Sequence, residues 1–385
     1  MHYRFVRLTP ESGHLINSLS IIPASDVNTI RRWIMISMNK VVGLIALICV
    51  LILPFDASAH HSRNAKFDNT VMIELEGEIT RVLWKNPHVR FTIRVRSGDG
   101  KAELWEIETT SISHLRNQNI TKALLAVGDK VKVAGNPSLR GLSAMWVTNV
   151  LLANQQELVI DPKDKPRWTD QILGKSGARF VKEGDASAPE LGIYRVWAHT
   201  AVVPMLFPST RDPDFDLSSY PLTDVARSAL AAYDPINDDP TANCRPKGMP
   251  TIMEQPYPLE FVAQDPNIVL RLEEYDTTRT IHMTSDATPQ DRTPHRLGYS
   301  IGRWEEQTLV VTTAGINYGH FNQTGIPLSD EVEIEERFTP REDGSRMDYK
   351  MRITDPATFT EPIELQKYWL YVPGVTVEPY GCVSN

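Results

Sequence analysis

Hydrophobic and polar residues alternate with a period of two in several runs of this chain, and helical spacing is confined to short stretches. In Val71–Trp84, Ile73 and Leu75 alternate with Glu74 and Glu76, which predicts a long strand that Gly77 can bend. Asn86-Pro87 signals a turn. Val89, Phe91, Ile93 and Val95 then alternate with Arg90, Thr92, Arg94 and Arg96, the clearest such run in the chain. Ser97-Gly98-Asp99-Gly100 predicts a hairpin, and Leu104–Thr109 the returning strand. Ser111–Ala126 reads as one helix or two short ones, and Lys130–Ala134 and Ala144–Leu152 as two more strands. Three strands, a helix and two strands is the order of a five-stranded OB-like barrel, expected over residues 60–155.

Residues 156–243 read as a linker and connecting region. Asp161–Arg167 is polar and proline-containing. Gly192–Trp197 resembles the opening strand of ligand-carrying β-barrels, with wider spacing. Pro221–Ala232 predicts a helix whose buried stripe is Leu222, Val225, Leu230 and several alanines. From 244 to 385, strand-like runs recur at Leu259–Ala263, Asn267–Tyr275, Arg279–Met283, Tyr299–Trp304, Thr308–Thr313, Glu331–Phe338, Arg346–Ile353 and Ile363–Val372. Turn signals separate them, so this region is expected to be an antiparallel meander closed into a barrel or stacked as a sandwich. The fold class expected is therefore all-β and mainly antiparallel.

One stretch departs from this pattern. Lys40 is followed by the unbroken apolar run Val41–Leu53, then Pro54 and Ala57-Ser58-Ala59. A basic start, an apolar run and a small-x-small site form a secretory signal peptide, with cleavage expected between Ala59 and His60. The run is 13 residues long, short of the roughly 20 needed to span a bilayer. Residues 1–37 exceed an ordinary basic leader, and Met38 reads as an alternative start. The protein is expected to be periplasmic or secreted, with no stable membrane span after processing.

Cleavage would remove five basic and three acidic residues from totals of 40 and 48, taking the net charge from −8 to −10. Such an acidic exported chain is a poor nucleic-acid binder. Of the three cysteines, Cys49 lies in the apolar run, leaving Cys244 and Cys382. An even pair in an oxidising compartment predicts one disulfide.

Several motifs resemble known families. Ala59-His60-His61-Ser62, Trp84-Lys85-Asn86-Pro87-His88, Trp105-Glu106-Ile107-Glu108 and the Gly128–Val133 segment GDKVKV are similar to an exported bacterial family of unknown function. The segment Gly302–Thr313 (GRWEEQTLVVTT), preceded by Cys244–Pro250 (CRPKGMP), is similar to a C-terminal module of uncharacterised exported bacterial proteins. Many of those read Gly-Asp where this chain has Glu306-Gln307, which matters if these residues form a tight turn. Neither resemblance implies a reaction.

The residues themselves offer few sites. Gly298-Tyr299-Ser300-Ile301-Gly302 fits the G-x-S-x-G pattern, but Arg303–Thr313 after it reads as strand, whereas a nucleophile elbow needs a helix there. His282, Asp286, Asp291 and His295 fall close together on a loop and could bind a metal or polar ligand. No H-E-x-x-H, C-x-x-C, phosphate-binding loop or haem motif is present. Signal cleavage creates the sharpest candidate. His60 becomes the first residue, and its α-amine and imidazole Nδ1 can chelate one ion, with His61, His88 and Glu106 or Glu108 completing the set. Nitrogen donors of this kind suit copper. The expected function is an exported metal-binding protein. The alternatives are a carrier of an apolar small molecule in the C-terminal β domain and an enzyme of unknown reaction. The expected partners are a metal ion or small ligand and a protein of the envelope.

Overall fold

The period-two stretches form strands, and their alternation sets which face is buried. The computed structural model describes residues 66–383 except 97, 99, 162, 209–215, 235–236 and 285–292. In the first barrel β1 (Ile73–Leu83), β2 (Arg90–Arg96), β3 (Ala102–Glu108), β4 (Lys130–Pro137) and β5 (Ala144–Leu151) follow the order β3-β2-β1-β4-β5. A parallel β3–β5 pairing, with Glu106 opposite Ala144 and Glu108 opposite Trp146, closes the ring. Ile79, Phe91, Ile93, Ile107, Val133 and Val147 fill it. Of the two readings of Ser111–Ala126, the structure has two short pieces, α1 (Ile112–Arg116) and a 3-10 turn at Lys122–Leu124.

Two short strands inside the connecting region, β6 (Glu157–Val159) and β7 (Ile172–Leu173), extend this sheet beyond β5. The buried Glu157 carboxylate explains why the polar linker is held in place. It accepts the backbone N–H groups of Arg167, Trp168 and Thr169 and the side-chain amide of Asn149.

The second barrel has nine strands in sequence order: β8 (Val196–Trp197), β9 (Leu259–Gln264), β10 (Asn267–Leu272), β11 (Thr277–His282), β12 (Tyr299–Glu305), β13 (Thr308–Ala314), β14 (Glu333–Pro340), β15 (Arg346–Thr354) and β16 (Ile363–Leu370). Neighbours are antiparallel except β11 and β12, whose longer connection brings them together in parallel. Ala198, just past β8, exchanges two backbone hydrogen bonds of 2.8 and 3.1 Å with Leu370, joining the first strand to the last. Trp197, Phe261, Phe338, Tyr349 and Trp369 are buried in its core.

Helix α2 (Asp224–Ala232) starts at Thr223, whose hydroxyl caps the Ala226 N–H. The expected buried stripe needs correction. Leu222 and Ala226 are buried and Leu230 packs against the core, but Val225 is 76% exposed. Spacing of four residues places the first three on one face, and Val225 falls off it.

On β14, Ile334, Glu336 and Phe338 point inward. Glu336 occupies an apolar position because β11 supplies its partner. Arg279 Nη1 meets Glu336 Oε1 at 3.0 Å, and Arg279 Nη2 bonds the other carboxylate oxygen. Arg279 also donates to Ser300 and Thr313, and the Tyr349 hydroxyl donates to Glu336 at 2.7 Å. Removing one member of a buried pair strands the other, at about 3–5 kcal/mol. Arg279→Met should lower unfolding free energy by that order in urea titrations, and Arg279→Met/Glu336→Leu should recover much of the loss.

Glu306 and Gln307 do form a tight turn, joining the paired residues Glu305 and Thr308. Glu306 has φ +53°, a conformation that favours glycine. Glu306→Gly should raise stability by up to about 1 kcal/mol, read as a higher urea midpoint at constant m.

The barrels share a polar joint. Asn86 donates its side-chain amide to Tyr380 O at 2.8 Å and accepts the Ile112 N–H at 2.9 Å. His114 on α1 bonds Pro256 O at 3.1 Å and stacks on Tyr257. Arg116 pairs with the buried Glu273, which also accepts the Glu378 N–H. Cys244 and Cys382 form a disulfide across a sequence separation of 138, tying the C-terminal tail down. Closing so long a loop restricts the unfolded chain by about 4–5 kcal/mol on an entropy model.

Candidate functional site

The Asn86-Pro87-His88 turn between β1 and β2 carries the first site residue. Burial of Asn86, with its two hydrogen bonds, fixes this turn against the joint. His88 Nδ1 meets Glu108 Oε1 at 2.6 Å, at the end of β3. A carboxylate only accepts, so Nδ1 carries a proton, and a metal would be taken through Nε2. The His88 ring lies edge-on to Trp146 of β5, with centroids 5.0 Å apart. Phe67 and Ala144 complete a small apolar cluster with Trp146 on this outer face.

The third group is Lys66, whose Nζ meets the other Glu108 oxygen at 2.5 Å. Backbone bonds from Asp68 N to Pro137 O and from Leu139 N to Lys66 O lay the 66–68 segment along the end of β4. Burial alone would raise the Glu108 pKa; the His88 hydrogen bond and charge, with Lys66, outweigh it and hold the carboxyl well below its usual range.

The expected metal ligands are placed as follows. His60 and His61 lie outside the described residues. His88 is at the site. Glu106 is not its partner: it is half exposed on the same outer face, with Arg90 Nη1 at 3.8 Å, and Glu108 two residues on holds His88. Strand periodicity puts both carboxylates on one face, so sequence alone could not choose between them. Among the described residues, no three His, Cys, Asp or Glu side chains are grouped to hold a metal ion. Lys66 was not among the sequence candidates, because nothing in the local pattern shows that the lead-in returns to β3.

The other candidates have structural employment. Ser300 is buried within β12 and bonds Arg279 and Thr313, with no helix after it, so no nucleophile elbow exists there. His282 stacks on Tyr299 with centroids 4.4 Å apart, and His295 Nδ1 accepts the Leu297 N–H. Asp286 and Asp291 lie outside the described residues. A shallow groove of about 460 Å³ sits at the rim of the second barrel, bordered by Tyr194, Asn267, Met283 and Trp304. No described helix is long and apolar enough to cross a membrane.

The fold and this outer-face site define an all-β protein of two joined barrels. Residues 47–145 match a family of unknown function (DUF6152), which spans the first barrel as far as the start of β5. No curated protein matches the chain.

Glu108 offers a direct check on the site. A depressed folded-state pKa contributes stability above the unfolded value, about 4.3, and that contribution is lost as pH falls toward the folded value. Glu108→Gln should cost about 1.5–3 kcal/mol near pH 7, and the deficit should shrink below about pH 4. Urea titrations of both proteins across that range measure it.

Proposed function

We propose that this is an exported protein that binds a transition-metal ion, copper by donor chemistry, where its mature N-terminus meets the outer face of the first barrel. The observation that carries this reading is the contact of Lys66 with Glu108, the carboxylate that orients His88. It brings the chain that follows the two histidines of the cleavage site to the one histidine of the β1–β2 turn. His61 precedes Lys66 by five residues, a reach of up to roughly 17 Å. His60, through its α-amine and Nδ1, His61 and His88 Nε2 would supply the nitrogen donors. Glu108 would fix the His88 tautomer and raise its basicity, as outer carboxylates do for ligating histidines. The basic start, apolar run and Ala-Ser-Ala site support export to the periplasm or medium.

Copper titration of the processed chain tests this, beside a form with one extra N-terminal residue, His60→Ala, His88→Ala and Glu108→Gln. Each ligand change should weaken binding strongly, and Glu108→Gln by about 10–100-fold. Equal, weak binding by all five would overturn the reading.

The rim groove favours one second reading, a small-molecule carrier. Tyr194 and Trp304 stand 39% and 42% exposed beside it, and barrel mouths are common ligand sites. An organic compound recovered with the native protein and lost in Trp304→Ala would support it.

A further inference from the structure

Exposed apolar side chains are unevenly spread over the described surface. Fourteen large ones stand exposed, and five of them, Val71, Met72, Leu104, Leu139 and Leu142, lie at the end of the first barrel where β1 and β5 begin and β4 ends. Backbone pairing draws them together. Phe67 bridges Ser138, and Leu139 N bonds Lys66 O at 3.0 Å. The Asn136 amide donates to Val71 O at 2.7 Å, so the chain entering β1 lies along the end of β4. β3 runs parallel to β5 with Glu106 opposite Ala144, which sets Leu104 level with Leu142, two residues earlier on each. The Ser143 hydroxyl bonds the Glu103 carboxylate beside them. Leu139 and Leu142 are 54% and 56% exposed, with Arg140 and Gly141 between them at the tip of the β4–β5 hairpin.

None of the five belongs to a core cluster, and exposed apolar patches of this kind mark interaction sites. The position of this rim in the chain says what covers it. It is the end at which the lead-in joins the barrel, through Lys66 and Leu139. Twelve residues, Pro54–Ala65, separate Lys66 from the apolar run Val41–Leu53, and they reach at most about 40 Å. While that run enters the membrane, as the export proposed above requires, this end of the barrel is the one tethered beside the bilayer. We infer that the 138–143 hairpin, with residues 71, 72 and 104, is a docking surface for a phospholipid bilayer. Leu139 and Leu142 enter its headgroup layer, and Arg140 meets the lipid phosphates. Asp68 and Glu103 share the rim with Arg140, so the attraction is apolar and does not depend on net charge. A few half-exposed side chains give weak, reversible binding, comparable with that of a single acyl chain. The processed protein then stays near the membrane without spanning it.

The test uses the processed chain beginning at His60, with vesicles of phosphatidylethanolamine and phosphatidylglycerol as probe. The protein should float with the vesicles in a density gradient at both low and high salt. Leu139→Ser/Leu142→Ser should lower the partition coefficient about tenfold or more, with Tm unchanged because both side chains already face water. Val225→Ser, at an exposed position on α2, should leave binding as it is. A polarity-sensitive dye on Leu142→Cys should shift to the blue on vesicles, and the same dye on Val225→Cys should not. A wild-type chain that stays unbound, or a double variant that binds as wild type does, would overturn the inference. So would a wild-type dimer that the double variant dissociates, with no vesicle binding, since the rim would then belong to a second copy. Export fails by a different sign, an intact mass of the native protein that retains Val41–Leu53, and the vesicle result stands whichever way that falls.

Discussion

The buried amide of Asn86 holds three segments of chain at once. Its nitrogen satisfies Tyr380 O in the C-terminal tail, its oxygen caps the start of α1, and its own backbone fixes the turn that carries His88. Val383 N closes the arrangement by bonding Asn86 O at 3.1 Å. Buried polar groups are costly when unmatched, so the turn, the helix and the tail are each positioned by the need to satisfy the others. The disulfide makes this durable. Cys382 follows directly in the bonded tail and is tied to Cys244 on the second-barrel side. The candidate site on the first barrel therefore inherits its rigidity from the last residues of the chain.

Charge is buried in two different ways. Around Glu336 each ionic group has a short, well-directed partner: the guanidinium meets both carboxylate oxygens, two hydroxyls complete its remaining bonds, and a tyrosine supplies the last donor. That network specifies how β11, β12, β13, β14 and β15 face one another. At the joint, by contrast, Arg179 and Lys367 make only long hydrogen bonds, and the charges that balance them are those of Asp161 and Glu254. A low-dielectric setting strengthens both sets of interactions. The joint and the outer-face site of the first barrel are not isolated electrically, since His114 in the joint feels both Arg179 and His88.

Half of the outer-face site was legible in the sequence. Trp84–His88 marked the turn, and the W-E-I-E run marked a strand with two carboxylates on one face. What stayed hidden was which carboxylate faces His88, because that depends on how β2 and β3 are paired: Arg90 lies opposite Glu108, so His88, just before β2, reaches Glu108 rather than Glu106. The Lys66 contact was hidden for a similar reason. A polar lead-in has no periodicity to announce that it pairs with the end of β4.

The sequence by itself determined the strands, since each of the eight runs after residue 244 becomes one of β9–β16, and in runs such as β14 and β15 alternation marks the inward face. It also determined the order of the first barrel and the pairing of two isolated cysteines. Tertiary structure alone decided what lies between these elements. The ninth strand is two residues long and gains its place only by pairing with β9 while Ala198 bonds Leu370. Glu336 breaks its strand's apolar pattern and is tolerated only because Arg279 stands across the core. Local pattern reports the preference of each residue for water; the partner that reverses that preference is distant in sequence and appears only when the chain is folded.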